Sequence, residues 1–396
     1  MRCGGSADDS HQVQRAGPIV RKTTTVAAAF GLALVVFVFA SASAQMLGNG
    51  IKKTLGRSAS PENAIVLRKG SSSEMESGIE EQQVNLVLAQ AQQVGASKEP
   101  PGVGEVLVVI LLDKLGTSGV SNVTVRGVTE RAFDFRRTVK ITEGRAAKPG
   151  ADEVVVGAGI TSRFKGLGIG QSFELKKNRL VKVVGVFADD GSSFESEVWA
   201  DINSVRTAFG REGNVSSIRV RLDAASKFDA FKALIEQNRQ LGLSAQREAD
   251  YYEKQSEATA TFLTIMGTMI AVLFGLGAMI GATITMNAQV ANRQREIGTL
   301  RALGFSRRGI LVSFLLESVV LSLIGGGVGA IAALCLKFVK ITMLNAGTWA
   351  EIVFSFEPTP EIILRSVLLA AVMGIFGGFL PAIRAARISP IEAMRA

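Results

Sequence analysis

The chain is poor in the residues that usually carry catalysis and cross-linking. Among its 396 residues there is one histidine, His11, and there are two cysteines, Cys3 and Cys335. A Ser-His-Asp triad, a Cys/His zinc site and histidine acid–base chemistry therefore have no material in the long middle of the sequence. That middle also holds no disulfide, so exposure outside the cytoplasm has to be argued from topology. No G-x-x-x-x-G-K-[ST] occurs, which excludes ATP binding through a P-loop by these residues.

Apolar runs are abundant. Hydrophobic residues make up 47% of the chain and charged residues 20%, too apolar for an ordinary soluble protein and too charged for one wholly in lipid. A helix needs about 20 apolar residues to cross a bilayer, and four windows supply them. Residues 23–51 and 258–292 carry no charge, 310–336 carry only Glu317, and 362–383 carry only Arg365. These windows place transmembrane helices at 23–46, 258–286, 310–336 and 362–383. The first has a rival: Arg21-Lys22, an apolar run and the small residues of 40–45 resemble a cleavable signal peptide. The run is at the upper length limit for such a signal and continues uncharged to Ile51, which favours an uncleaved span. Gly277/Gly281 and Gly374/Gly378 have the G-x-x-x-G spacing of close helix pairs, a spacing that also arises by chance in glycine-rich helices.

Charge orients the spans. Residues 1–22 hold four basic and two acidic groups, residues 287–309 five and one, and residues 384–396 three and one. The loop 337–361 holds two basic and three acidic groups. The positive-inside rule then puts the 1–22 tail, the 287–309 loop and the 384–396 tail in the cytoplasm, with 47–257 and 337–361 outside. Residues 46–257 carry 29 basic and 27 acidic groups, so most of the net charge of +9 is topological and a nucleic-acid partner has little support.

The exported domain alternates strands and helices. Strands are expected near 64–67, 106–112, 121–128, 153–156, 172–175, 180–187, 197–200 and 217–222, and helices near 75–94 and 227–240. The fold class is thus membrane α-helical, with four transmembrane helices, plus an α+β extracytoplasmic domain. Its α/β core spans about 47–128 and 209–257, with a β-rich insertion at about 129–208. Gly157-Ala-Gly159 begins like a dinucleotide fingerprint but lacks the third glycine, and reads as a turn. Asp189-Asp190-Gly-Ser-Ser lacks calcium-loop spacing and reads as a solvated hairpin tip. No catalytic residue and no metal site emerges.

The densest signal is RQREIGTLRALGFSRRG at 293–309, with five arginines and one glutamate between two apolar windows. Ile297, Leu300 and Leu303 recur every third residue, as on one side of a short helix, framed by Arg293, Arg295 and Arg301. An amphipathic helix of this kind suits docking into a groove; a basic loop lying on anionic lipid is the bland alternative. At the other end, Ser389-Pro390-Ile-Glu392 is a capping-box pattern with proline at the first helical position. Glu317 lies about two turns into the third span, where a carboxylate facing lipid is costly; a place at the interface, reaching water or another helix, is favoured over a transport role.

These two segments, R-x-R-E-I-G-x-L-R-A-L-G and P-x-x-R-A-A-x-x-x-P-I-E-A-x-R, resemble the FtsX-like permease domain of MacB-type ABC transporters, a class that includes lipoprotein-releasing permeases. The layout of one span, a large outer domain and three more spans is similar too, leaving out only the first 20 residues. The resemblance implies a coupling helix seated on a separate ABC ATPase, drawn from Arg293, Arg295, Glu296, Ile297, Leu300, Arg301, Leu303 and Gly304. It implies a second cytoplasmic contact through Arg384, Arg387, Pro390 and Glu392, and a second permease copy as homo- or heterodimer. No cofactor is expected in this chain, ATP-Mg being bound by the partner ATPase. A periplasmic adaptor or outer-membrane duct are further candidate partners. The expected function is that of an inner-membrane permease subunit of an ABC exporter, itself not an enzyme. The alternative is a mechanical transmitter regulating an extracytoplasmic partner, such as a cell-wall hydrolase, without transport.

Overall fold

In the computed structural model, residues 17–96, 100–238, 240–345 and 347–389 are described. The chain opens with α1 (Gly17–Arg57), β1 (Asn63–Arg68), β2 (Ile79–Glu80), α2 (Glu81–Gln93), β3 (Gly102–Asp113), β4 (Val120–Val128) and α3 (Arg131–Phe135). It continues through β5 (Lys140–Gly144), β6 (Glu153–Gly157), β7 (Ser172–Lys176), β8 (Arg179–Ala188), β9 (Glu197–Asp201), α4 (Ile202–Phe209), β10 (Asn214–Val215) and β11 (Ser217–Arg221). It ends with α5 (Phe228–Gln237), β12 (Leu243–Arg247), α6 (Glu248–Asn292), α7 (Gln294–Ala302), α8 (Arg307–Cys335), β13 (Lys340–Leu344), β14 (Glu351–Ser355) and α9 (Pro360–Arg387). Two compact units result: Met1–Leu47, Phe262–Val339 and Phe356–Ala396 form one, and Gly48–Thr261 with Lys340–Ser355 form the other.

The first unit is helical. Helices α1, α6, α8 and α9 are each long and apolar enough to cross a membrane. Small residues bring them together. A Cβ added at Gly326 would lie 2.9 Å from Ala370, and one at Gly378 would lie 2.6 Å from Ser318. Ser318 Oγ also donates to the Gly374 carbonyl at 2.7 Å, the kind of short polar link that holds helices in lipid. Of the two G-x-x-x-G spacings, Gly374/Gly378 is therefore packed, whereas added Cβ atoms at Gly277 and Gly281 meet nothing within 4 Å. The same side of α6 leaves Phe262, Ile265, Met269, Leu273, Leu276, Ile280 and Ile284 exposed, a stripe at helical spacing. Such a stripe is costly in water and costs nothing against lipid tails.

The second unit is built on a ten-stranded sheet in the order β12-β1-β11-β3-β4-β9-β6-β8-β5, with β7 added to β8. Segment 129–208 supplies five of these strands, and it joins the rest through parallel pairing of β4 with β9, Val125 opposite Val198. Alternate residues of β3 (Val106, Val108, Ile110, Leu112) and β4 (Val123, Val125) belong to one buried cluster with Phe231 and Ile235 of α5 and Val205 of α4. A separate aromatic nest surrounds Trp199, with Phe187 at 4.7 Å, Phe133 at 5.5 Å and Phe194 at 5.8 Å between ring centres. Each such pair adds roughly 1 kcal/mol beyond its buried area.

Three local expectations change. The helix expected at 75–94 begins only at Glu81. Ser72 and Glu76 close a turn on themselves through N and Oγ bonds of 3.1 and 2.8 Å, and Ile79–Glu80 pairs with β10. Glu80 N then donates to Gln83 Oε1 at 3.2 Å, which sets the helix start. The turn at Asp189 is not a solvated tip: Asp189, Ser192 and Ser193 are buried and only Asp190 is exposed, because Asp189 Oδ2 accepts from Ser192 Oγ at 2.5 Å and its N–H donates to Glu195. The 337–361 loop is an ordered hairpin, β13 paired with β14. Glu351 is bonded to Ser121 Oγ at 2.6 Å and ion-paired with Lys114. Asn122 Nδ2 donates to the Trp349 carbonyl at 2.7 Å, and Val353 N to Ser196 Oγ at 2.9 Å.

Candidate functional site

The basic segment of the helical unit folds into α7 and the first turn of α8. Its turn is written in the letters Leu-Gly-Phe-Ser. Gly304 has φ +97°, a conformation that ends a helix at low cost only in glycine. Around it, Phe305 N donates to the Leu300 carbonyl at 3.1 Å and Gly304 N to the Arg301 carbonyl at 3.2 Å, the paired bonds of a Schellman cap. Ser306 then caps α8, its Oγ accepting from Gly309 N at 3.1 Å. One helix is thus ended and the next begun within the three residues Gly304 to Ser306.

The apolar stripe divides. Three residues fall about 60° short of a full helical turn, so positions 297, 300 and 303 wind around α7 rather than sharing one line. Ile297 is buried among Met286, Val290, Ile310, Phe314, Ala382 and Ala385. Leu300 is 41% and Leu303 73% exposed, with Phe305 at 55% beside them. One apolar residue anchors α7 to the spans, and three are left facing outward. A 320 Å³ cavity opens between α7 and α8, lined by Ile297, Leu300, Phe305, Ile310 and Phe314, with Arg293, Glu296 and Glu317 among its polar residues.

The other sequence-selected residues fall around it. Arg293 bonds Glu296 at 3.0 Å and Glu317 at 3.3 Å and stacks over Phe314 at 5.9 Å. Glu317 is thus a half-exposed, paired carboxylate rather than an isolated buried one. Arg295 and Glu296 are exposed. Arg301 donates to the Phe305 carbonyl at 3.3 Å, bracing the turn. On α9, Arg384 reaches Asn287 Oδ1 at 3.2 Å, and Arg387 is exposed. Pro390 and Glu392 lie outside the described residues.

A constellation that the sequence reading missed lies inside the sheet unit. Arg126 forks onto Glu197 at 2.7 Å and reaches Glu74 and Glu105 at 2.9 Å. Arg219 contacts Glu105 and Glu74, each at 3.1 Å, as well as Glu248. Arg136 pairs with Glu105 and sits 4.7 Å over the Phe194 ring. Burial pushes the Glu74 carboxyl up, but Arg126 and Arg219 outweigh it and bring it down to about 2. Burial acts on Glu105 likewise, and Arg136, Arg126 and Arg219 hold it well below the usual carboxylate range. Ionised at neutral pH and paired with arginines, these carboxylates are suited to holding strands together, not to moving protons. Among the described residues no group of His, Cys, Asp and Glu is arranged to hold a metal ion. The available signal was a charge between apolar neighbours in a strand, as in the Ile-Arg-Val of β11 and the Glu-Val-Leu-Val of β3; a charge so placed needs a buried partner.

Comparison with known proteins agrees with the layout. The model of the MacB-like periplasmic core domain matches residues 24–238, and that of the FtsX-like permease C-terminal matches residues 268–390. An uncharacterized ABC transporter permease of Bacillus subtilis (strain 168), YknZ, is 30% identical over 225 residues, 54% of this chain and 52% of the relative. A macrolide export ATP-binding/permease protein MacB of Burkholderia pseudomallei (strain 1710b) is 30% identical over 294 residues, 69% of this chain and 43% of the relative. The crystal structure of the extracellular domain of YknZ from Gram-positive bacteria aligns at TM-score 0.34 and 15% identity, covering 46% of this chain and 99% of that one. The chain spans about half the length, or less, of these curated relatives. With a model matching more than half of its residues, the chain belongs to the MacB-like, FtsX-like family of ABC transporter permeases.

Proposed function

We propose that this chain is the membrane-spanning part of an ABC exporter and that an ATPase absent from this sequence drives it through α7. The observation that carries the reading is the division of labour on α7. Ile297 fixes the helix to the spans, while Leu300, Leu303 and Phe305 face outward beside Arg295 and Glu296. An exposed apolar cluster with a charged rim, on a helix capped at its C-terminal end, suits seating in a partner's groove. In this reading α7 and the end of α9 lie in the cytoplasm of an inner-membrane protein, and the sheet unit lies outside. Two permease copies work with ATP-Mg bound by the ATPase, and closure of the ATPase shifts α7 and, through the spans, the outer domain. Export is favoured over purely mechanical regulation because matched relatives are named for macrolide export.

Co-purification tests this. Tagged chain, expressed in its native host, should bring down an ABC ATPase, and Leu300→Asp should abolish that association while the protein still inserts and folds. Retention of ATPase by Leu300→Asp, or none recovered with the unaltered chain, refutes the coupling role.

A further inference from the structure

Strand β3 changes partner part-way along, pairing with one neighbour over its first part and with the other over the rest. β11 accompanies Gly102 to Glu105, and β4 runs along Val106 to Asp113 on the other edge. Beyond Glu105 the β11 side of β3 is satisfied piecemeal. Leu107 N donates to Ser216 Oγ at 3.0 Å, Arg211 donates to the Leu107 carbonyl at 3.3 Å, and Lys165 N donates to the Asp113 carbonyl at 2.9 Å. Backbone groups alternate in direction along a strand. The contacts at 107 and 113 therefore place the N–H and C=O of Val109 and Leu111 on the same edge, where no bond to another described residue meets them.

The facing wall is β7, which among the described residues pairs only with β8. A 540 Å³ groove lies between the two strands, lined by Val109, Leu111 and Asp113 on one side and Phe173, Glu174 and Lys176 on the other. Lys165 and Gly166 close one end. Lys165 is bonded to Asp113, and a Cβ added at Gly166 would lie 2.9 Å from the Ser172 carbonyl. Phe209 marks the other end, 5.1 Å from Lys176 Nζ. The walls thus run in opposite senses, and the 109–113 stretch matches about five extended residues.

We propose that this groove binds an extended, acidic segment of a partner polypeptide by β-strand addition between β3 and β7. A row of backbone donors and acceptors at strand spacing is matched by another peptide backbone, not by a lipid tail or a compact apolar ligand. The Leu111 side chain, 68% exposed, offers that segment an apolar contact. The lining carries Lys165, Lys176 and Lys177 against Asp113 and Glu174, and Lys165 is already drawn to Asp113 at 3.6 Å. The remaining positive charge selects acidic side chains across the strand. The proposal stands apart from the coupling role of α7.

The test uses the full chain in detergent micelles and a capped synthetic heptapeptide of alternating glutamate and valine. Hydrogen exchange should slow at the Val109 and Leu111 amides when the peptide is added. A peptide with proline for its central valine should give no such protection. Lys176→Glu with Lys177→Glu should weaken binding by roughly fivefold or more, and Leu111→Pro should abolish it with Trp199 fluorescence unchanged. Should Leu111→Pro fail to fold, the lysine pair decides. Absence of protection at both amides, equal protection by the proline peptide, or unchanged binding by the lysine variant overturns the proposal. So does protection that grows with protein concentration in the absence of peptide, which would assign the groove to a second copy of the chain.

Discussion

Arg219 Nε donates to Glu105 Oε2 across 3.1 Å, and neither side chain is exposed to solvent at all. The pair ties β11 to β3, and the same guanidinium reaches Glu248 at the start of α6. Arg219→Met should therefore leave Glu248 with only its hydrogen bonds from Ser60 N and Asn63 Nδ2, and leave Glu74 and Glu105 short of positive charge. Removing one partner of a buried ionic network costs about 3–5 kcal/mol. The chain holds two tryptophans, Trp199 and Trp349, and Trp199 lies in the aromatic nest beside the network. Urea titration of Trp199 fluorescence in a Trp349→Phe background should show the midpoint of Arg219→Met lowered by that free energy divided by the urea m-value; an unchanged midpoint would make the network dispensable.

Acid should dissolve the same network. Glu74 lies at about 2 when folded against 4.5 as its ordinary value, and Glu105 is also depressed. A depressed folded value means that the stabilisation is fully present above pH 4.5. It is lost as the pH falls from there toward 2 and below, where the folded carboxylates finally take up protons. The Trp199 urea midpoint should fall across that window in the unaltered chain, and fall less in Arg219→Met. A midpoint equally acid-sensitive in both proteins would detach the effect from these carboxylates.

Much of this architecture was legible in the residues. The spans follow from uncharged apolar runs, and most strands of the sheet from alternation, since both are local signals. What escaped is non-local. Nothing near Arg126, Arg219 or Glu105 in the sequence reveals that they meet, because their partners lie on different strands. The 75–80 segment reads as helical by composition, yet pairing of Ile79–Glu80 with β10 outweighs that weak preference. The hairpin β13–β14 is held by Ser121, Asn122, Lys114 and Ser196, all more than 140 positions away. On α7, the three-residue spacing groups Ile297, Leu300 and Leu303 on one side of a helix but does not reveal their division, which depends on what Ile297 packs against.

Helix packing separates the two G-x-x-x-G pairs. Gly374→Val would drive new methyl groups into Ser322 Oγ, 2.1 Å from an added Cβ, and break the close approach of α8 and α9. Gly277→Val meets open space. Overpacking costs about 1–3 kcal/mol. Gly374→Val should thus lower the thermal aggregation midpoint of the detergent-solubilised protein, with Gly277→Val leaving it near that of the unaltered chain. Equal losses from both would count against the packing seen at Gly374.

The ion pair at the cavity mouth discriminates two roles for Glu317. Its partner Arg293 is shared with Glu296 and rests on Phe314, and both members of the Arg293–Glu317 pair are more than a third exposed. An exposed pair of this kind contributes about 0–1 kcal/mol. If an ATPase drives α7 as proposed, Glu317→Gln should leave its stimulation by the reconstituted chain, and the pH profile of that stimulation, close to those of the unaltered chain. Arg293→Ala should do more harm, because it removes both carboxylate contacts and the cover over Phe314 at once. If instead Glu317→Gln alone abolished stimulation, or shifted its pH profile, the carboxylate would have to be carrying a proton or contacting substrate, and its structural assignment would fail.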